Sequence, residues 1–197
     1  LKSFFIMKRI VIFASGSGTN AGNIIKYFQK NNLAKVTLVL SNKSTANVLD
    51  RAKKLSVPSE TFNKSELINS DRIASILRRE SPDLIVLAGF LLKFPKIILK
   101  DFPNKVINIH PALLPKYGGK GMYGMLVHES VVKNKESESG ITIHYVNENY
   151  DEGAIIFQKS FQLSENDTSE SVAHKIHELE YEFLPKVIEE ILEIKDK

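Results

Sequence analysis

Apolar runs alternate with amphipathic segments through the first 110 residues of the chain. The apolar runs predict strands over residues 9–14, 36–40, 84–88 and 106–109, and a short further strand over 58–62. Between them, apolar residues at helical spacing predict helices after residue 20 and over 46–55, 70–79 and 96–102. This alternation favours an α/β fold with a Rossmann-like, open, mostly parallel twisted sheet and helices on both faces.

The C-terminal part of the chain has a different pattern. Residues 140–146 and 154–161 predict two strands joined by a turn of about eight residues, which is too short for a helical crossover. An antiparallel C-terminal strand pair is therefore expected. Helices are predicted over residues 123–133 and 171–194, and the second has an apolar stripe formed by Val172, Ile176, Leu179, Phe183, Val187 and Ile191.

Three loops follow predicted strands, after Ala14, Ala88 and Ile109, at the edge where α/β sheets bind ligands. The first loop, residues 16–21, has the pattern G-x-G-x-x-[GA], which suits an anion because the helix that follows begins with free N–H groups. The second strand ends without a carboxylate for a ribose diol, so the loop is interpreted as a site for one phosphate group. A Walker loop is excluded because Gly-Lys-[Ser/Thr] is missing, and a glycine turn without a ligand remains the alternative.

The third loop follows a strand that ends with two polar side chains. Asn108 and His110 lie two residues apart, so an extended chain places them on one face, and Pro111 ends the strand. An amide N–H can stabilise a developing oxyanion and an imidazole can move a proton near neutral pH, and acyl transfer needs both. A buried Asn and His that only support the turn would give the same pattern.

Asp151 lies in the predicted turn before residues 154–161. If that turn folds over the edge of the sheet, the carboxylate would raise the pKa of the His110 imidazole and orient the ring or a water molecule. The alternative is ordinary turn chemistry, for which Asp is well suited. The other histidines, at 128, 144, 174 and 177, are weaker candidates, and their spacing does not indicate a metal site.

Composition narrows the classes of function. The chain has 197 residues, a net charge of +4 and no cysteine, which excludes disulfides, thiolate catalysis and cysteine zinc sites. Its basic residues are dispersed and form no nucleic-acid-binding motif, so no nucleic-acid partner is expected. The longest apolar run, residues 84–92, is too short to cross a bilayer, so no membrane partner and a cytoplasmic location are predicted. Met7 is the predicted native start, which makes residues 1–6 an N-terminal extension and 7–197 a single domain.

From Met7 onward the chain resembles the phosphoribosylglycinamide formyltransferase family of folate-dependent enzymes. The resemblance rests on Ser-Gly-Ser-Gly-Thr-Asn at 15–20, Leu-Ala-Gly-Phe at 87–90, Asn-Ile-His-Pro-Ala-Leu-Leu-Pro at 108–115, and Asp-Glu-Gly at 151–153. It implies transfer of a formyl group from 10-formyltetrahydrofolate, as co-substrate, to the amine of glycinamide ribonucleotide in purine synthesis. The transfer would be direct and need no metal, by an enzyme that is a monomer or weak homodimer.

The resemblance also implies roles for individual residues. Asn108 would hydrogen-bond the formyl oxygen, His110 would shuttle protons, and Asp151 would hold a water molecule and tune His110. Glu180 would bind the glycinamide end of the substrate. The remaining implied site residues are Gly18, Thr19 and Asn20 for the substrate phosphate, and Gly89, Phe90, Leu91, Leu92 and Asn147 for the folate.

Two features depart from the family pattern, and one assignment stays open. Leu92 stands where some relatives carry Arg, and residues 118–124 are unusually rich in glycine. Lys64 is a candidate for assisting with the phosphate.

Several other functions also fit the residues. One is a non-enzymatic phosphate- or nucleotide-binding module in which Asn108 and His110 are structural. The others are enzymes that use 10-formyltetrahydrofolate, namely a methionyl-tRNA formyltransferase or a formyltetrahydrofolate hydrolase. Those enzymes normally carry an additional domain, so they are less expected for a chain of 197 residues.

Overall fold

The computed structural model describes residues 7–69 and 71–193. Within these residues seven strands form one sheet: β1 (Lys8–Phe13), β2 (Ala34–Ser41), β3 (Ser59–Thr61), β4 (Leu84–Leu87), β5 (Val106–His110), β6 (Glu138–Tyr145) and β7 (Ile155–Gln162). Their order is β3-β2-β1-β4-β5-β6-β7. The first five in this order are parallel, whereas β6 is antiparallel to β5 and β7 to β6. The predicted fold class and the antiparallel C-terminal pair are confirmed.

The helices of the same residues connect and cover these strands. They are α1 (Thr19–Asn31), α2 (Asn47–Lys54), α3 (Lys64–Ile68), α4 (Arg72–Glu80), α5 (Lys96–Asp101), α6 (Met125–Lys133) and α7 (Ser169–Ile191). The pattern did not predict α3, which begins with a capping box: the Asn63 side chain accepts from the Glu66 N–H, and the Glu66 carboxylate accepts from the Asn63 N–H.

The sheet is covered by helices on both faces because its central strands are apolar on both. In β1, Ile10 and Ile12 belong to a core shared with α1 and α7, while Val11 and Phe13 belong to a second core shared with α4 and α5. Such continuous apolar strands are typical of parallel strands buried on two sides.

The chain order places a crevice beside β1. From β1 the chain proceeds outward to β2 and β3, and then returns to β4 on the other side of β1. The loops after β1 and β4 therefore diverge at the carboxyl ends of these strands, which is where open α/β sheets bind ligands. Beyond β4, Leu87 pairs with Asn108 of β5, and Asn108 pairs with His144 of β6.

The predicted N-terminal extension and the predicted single domain cannot both be compared with the described residues. The predicted extension, residues 1–6, lies outside them, as do position 70 and residues 194–197, so the division into extension and single domain stays a prediction. Among the described helices, none is long and apolar enough to cross a membrane.

Close backbone packing in the β6–β7 hairpin gives a stability prediction. A Cβ at Gly140 would lie 2.1 Å from the carbonyl oxygen of Lys159, whereas one at Gly22 in α1 would meet no atom closer than 3.7 Å. We expect Gly140→Ala to lower the free energy of unfolding by about 2 kcal/mol or more, because the strands must separate to accept the methyl group. Gly22→Ala should raise it by about 0.5–1 kcal/mol through helix propensity. Urea unfolding of both variants checks this, and a Gly140→Ala protein as stable as wild type would contradict it.

Candidate active site

A cavity of about 700 Å³ opens at the carboxyl ends of β1, β4 and β5. The three predicted loops form its walls, together with α1, α6 and α7. Ten of the twelve predicted site residues line it: Gly18, Thr19, Asn20, Gly89, Phe90, Leu91, Asn108, His110, Asp151 and Glu180.

The amide of Asn108 is held in one orientation by its neighbours. His144 Nδ1 lies 2.9 Å from the carbonyl oxygen of Tyr145, so in the neutral ring Nδ1 carries the proton and Nε2 is an acceptor. Asn108 Nδ2 donates to that Nε2 over 3.1 Å and to Asp151 Oδ1 over 3.3 Å. One N–H of Asn108 therefore points to His144 of β6, and the other points to the turn that carries Asp151.

His110 is buried at the end of β5, with Asp151 beside it. Its Nε2 lies 2.7 Å from the carbonyl oxygen of Tyr117, which can only accept, so Nε2 carries the proton when the ring is neutral. Nδ1 is then an unprotonated nitrogen, 3.6 Å from Asp151 Oδ2. The same carboxylate oxygen accepts the N–H of Gly119 over 2.9 Å. The predicted approach of the turn to the end of β5 is thus present.

The pKa of His110 is lowered overall, although the charge of Asp151 raises it as predicted. Burial lowers the pKa of the imidazole below its ordinary value, and the opposing charge of Asp151 only partly offsets this. Asp151 itself is acidic: burial favours a higher pKa, but contact with His144, the charge of His110 and the Gly119 N–H together lower it. At neutral pH the pair is therefore a neutral imidazole beside a carboxylate.

The predicted phosphate-binding loop, residues 16–21, is called the anion loop below. It is preformed at the start of α1. Gly18 precedes the helix with φ of +70°, and a Cβ there would lie 2.4 Å from Val48 Cγ2. Gly18, the N-cap residue, has no side chain to cap α1, so N–H groups of the first turn are left for a ligand in the cavity that Gly18, Thr19 and Asn20 line.

Ser15 connects the anion loop to the loop after β4. Its hydroxyl donates to Asn42 Oδ1 over 2.6 Å and accepts the N–H of Leu91 over 3.0 Å. Gly89, at φ of +71°, makes the turn that brings Leu91 to this hydroxyl.

Glu180 forms the wall opposite the sheet. This carboxylate of α7 is buried, and its Oε2 accepts from Asn20 Nδ2 over 2.9 Å and pairs with His177 Nδ1 over 3.0 Å. The hydrogen bond to Glu180 raises the pKa of His177. The hydrogen bond from Asn20 to Glu180 thus joins the anion loop to the middle of α7.

Three other residues named from the sequence lie outside the cavity wall. Leu92 packs against the second core, and Asn147 Oδ1 accepts the N–H of Asn149. Their contact with folate stays a prediction. Lys64 begins α3 and is exposed, whereas the lysines that line the cavity are Lys43 and Lys120.

The sequence matches the formyl transferase family over residues 8–188. The chain belongs to the formyl transferase family. Phosphoribosylglycinamide formyltransferase from Bacillus subtilis is 34% identical over 196 residues, which cover 97% of this chain and 98% of that protein. The chloroplastic phosphoribosylglycinamide formyltransferase of Arabidopsis thaliana is also 34% identical, over 96% of this chain and 67% of its own length. The crystal structure of glycinamide ribonucleotide transformylase 1 from Symbiobacterium toebii superposes with a TM-score of 0.88 at 29% identity, covering 98% of this chain and 92% of that one.

Three histidines of this formyl transferase that the sequence indicated only as weaker candidates lie at the site. His144 orients Asn108, and His128 and His177 line the cavity, while His174 is exposed on α7. The alternation of Thr142 and His144 places both side chains on one face of β6, but only the register between β5 and β6 brings His144 opposite Asn108. Within residues 7–69 and 71–193, no group of three or more His, Asp or Glu side chains has the arrangement of a metal site.

The charge of Asp151 gives a prediction about the His110 imidazole. We expect Asp151→Asn to lower the pKa of His110 further, because the carboxylate is the main group that opposes the effect of burial. An NMR titration of the histidine side chains measures this. Glu152→Gln, an exposed change in the same turn, is the matched control and should leave the His110 titration unchanged. A higher His110 pKa in Asp151→Asn would show that the carboxylate does not act on the ring in this way.

Proposed function

We propose that this formyl transferase moves the formyl group of 10-formyltetrahydrofolate to the amine of glycinamide ribonucleotide, with Asn108, His110 and Asp151 as the catalytic residues. The observation that carries the proposal is the convergence of these three side chains in one cavity with an anion loop and a buried carboxylate. The relatives from Bacillus subtilis and Arabidopsis thaliana are phosphoribosylglycinamide formyltransferases, which supports the same two substrates.

The ground-state geometry suits acceptance of a proton from the attacking amine. Because burial keeps His110 neutral and Tyr117 fixes its Nε2 proton, Nδ1 can take the proton that the amine loses on attacking the formyl carbon. The resulting imidazolium lies beside the Asp151 carboxylate. His110 then gives the proton to the folate nitrogen as the bond between that nitrogen and the formyl carbon breaks.

Asn108 stabilises the negative charge that develops on the formyl oxygen. One of its N–H groups donates to His144 and stays fixed, while the other makes the longer contact, 3.3 Å, with Asp151. The second N–H is the one that turns to the oxygen during the reaction. Because the amide is already oriented, little reorganisation is needed when the charge forms.

The two substrates bind to different loops of the cavity. Gly18, Thr19 and Asn20 bind the ribonucleotide phosphate at the start of α1, and Glu180 binds the glycinamide end. The loop with Gly89, Phe90, Leu91 and Leu92 borders the folate, together with Asn147. The transfer is direct and uses no metal. The protein is a cytoplasmic monomer or weak homodimer.

The test of the chemistry is an assay of formyl transfer to glycinamide ribonucleotide by alanine variants. We expect Asn108→Ala and His110→Ala each to lower kcat on the order of 100-fold or more, because each removes a group that acts mainly in the transition state. His174→Ala is the matched control at an exposed position and should retain wild-type turnover.

The outcomes separate the candidate functions. Turnover within a few-fold of wild type in both site variants would overturn the mechanism. A wild-type protein that binds the ribonucleotide but transfers no formyl group would be a binding module with a structural Asn and His. Transfer to methionyl-tRNA or release of formate in place of this reaction would identify a different enzyme that uses 10-formyltetrahydrofolate.

The anion loop gives a prediction about substrate specificity. Gly18→Ala places a methyl group against Val48 in a backbone conformation that favours glycine, so the first turn of α1 must shift. We expect the KM for the ribonucleotide to rise about tenfold or more, since binding energy from several N–H groups is lost, while the folate KM changes little. Steady-state kinetics with each substrate varied measures both constants, with Gly22→Ala in the same helix as control. A larger change in the folate KM would mean that the loop binds the other ligand.

A further inference from the structure

The loop after β5 contains a short stretch, the 117–119 segment, whose backbone contacts both members of the proposed proton-transfer pair. The carbonyl oxygen of Tyr117 lies 2.7 Å from His110 Nε2. The N–H of Gly119 donates to Asp151 Oδ2 over 2.9 Å. A carbonyl oxygen can only accept and an N–H can only donate, so the two contacts favour a proton on Nε2 and an ionised carboxylate. The placement of this segment therefore determines how the pair is presented to the cavity.

The backbone of Tyr117 has a conformation that bulky residues rarely adopt. Its φ is +56°, in the left-handed region that favours glycine. Such a conformation persists only where the surrounding structure holds it, and it occurs often at functional sites. The hydrogen bonds of the Tyr117 side chain show what holds it here.

The hydroxyl of Tyr117 is anchored in the turn that follows α6. It donates to Glu136 Oε1 over 2.8 Å and accepts from Asn134 Nδ2 over 2.8 Å. Lys116 Nζ lies 3.0 Å from Glu136 Oε2 and so holds the carboxylate from its other oxygen. Tyr117, Asn134 and Glu136 all lie outside the cavity wall. An effect of the hydroxyl on the reaction must therefore act through the backbone of the loop.

The earlier part of the same loop is fixed separately, by Thr142 of β6. Its buried hydroxyl accepts the N–H of Leu114 over 3.0 Å and donates to the carbonyl oxygen of Ala112 over 2.6 Å. These bonds hold the start of the loop against the sheet, whereas the side chain of Tyr117 ties the 117–119 segment to the turn after α6. Loss of the Tyr117 hydroxyl should therefore release that segment and leave the start of the loop in place.

We propose that Tyr117 is a positioning residue for the proton transfer. Its hydroxyl, anchored to Glu136 and Asn134, fixes the backbone carbonyl oxygen that keeps the proton of the neutral imidazole on Nε2 and leaves His110 Nδ1 free for the substrate amine. When Nδ1 takes the proton of the amine, the bond from Nε2 to the carbonyl oxygen is kept, so the ring need not turn during the transfer. This inference rests on the proposed function and adds a residue that acts without touching a substrate.

The test measures the tautomer of His110 and the rate of formyl transfer on the same variants. Tyr117→Phe removes the hydroxyl and keeps the ring, so the carbonyl loses its anchor. NMR of the imidazole nitrogens should show His110 as the Nε2–H tautomer in wild type and as a mixture of both tautomers in the variant. We expect kcat to fall about tenfold because the base is misplaced, while the KM for each substrate stays within about twofold.

Variants at Glu136 test the anchor without changing the loop itself. Glu136→Leu removes the acceptor and should reproduce both effects of Tyr117→Phe. Glu136→Gln keeps an oxygen that can accept from the hydroxyl, so it should retain the wild-type tautomer and a kcat within about twofold of wild type. Tyr181→Phe is the matched control, because it removes a tyrosine hydroxyl from an exposed position outside the cavity wall, and it should behave as wild type.

Tyr117→Gly separates the anchor from the backbone conformation. Glycine adopts the left-handed φ without strain but has no hydroxyl, so this variant should also have a low kcat and a mixture of tautomers. Wild-type turnover in Tyr117→Gly would show that the conformation suffices, and it would overturn the inference.

The remaining outcomes separate the inference from the proposed function. An unchanged tautomer and unchanged kcat in both Tyr117→Phe and Glu136→Leu would overturn the inference alone, because wild type would still transfer the formyl group. A lower melting temperature with those two readouts unchanged would show that the contacts only stabilise the fold, and it would overturn the inference in the same way. A wild-type protein that transfers no formyl group would overturn the proposed function and the inference with it.

Discussion

The Asp151 carboxylate joins its own turn to β5 and to the loop that follows β5. It accepts from Asn108 of β5 and from the Gly119 N–H of the following loop, and it lies 3.6 Å from both His110 and His144. These contacts depend on the antiparallel arrangement of β5, β6 and β7, which brings the turn before β7 back over the end of β5. The proposed chemistry of this formyl transferase therefore depends on the part of the sheet that departs from the parallel pattern.

Burial determines the protonation of the site as much as charge does. An isolated Asp beside His110 would raise the pKa of the imidazole, but the low polarity around the ring outweighs that effect. The result is a neutral base next to a carboxylate that can stabilise the ring once it is protonated. A solvent-exposed pair with the same spacing would favour the imidazolium before the reaction begins, and it would be a poorer proton acceptor.

The sequence predicts the sheet and the central polar pair well because both depend on local patterns. Strand positions follow from apolar runs, and the common face of Asn108 and His110 follows from the period of an extended chain. The contribution of His144 was not predictable in this way, because it depends on the register between two strands. Glu180 entered only through the family resemblance, since the pattern of α7 does not show which part of the helix faces a cavity. The short helix α3 was missed because five residues are too few for a periodic signal.

The hydroxyl of Ser15 fixes the distance between two loops of the site. It accepts from the loop that borders the proposed folate region and donates to the segment after β2, while its own backbone leads into the anion loop. One side chain thus fixes the spacing between the two ligand regions, so neither loop can move far without straining or breaking a bond to the other. The spacing between the two proposed ligand regions is accordingly set by hydrogen bonds within the protein, and the substrates would bind to loops that are already in position.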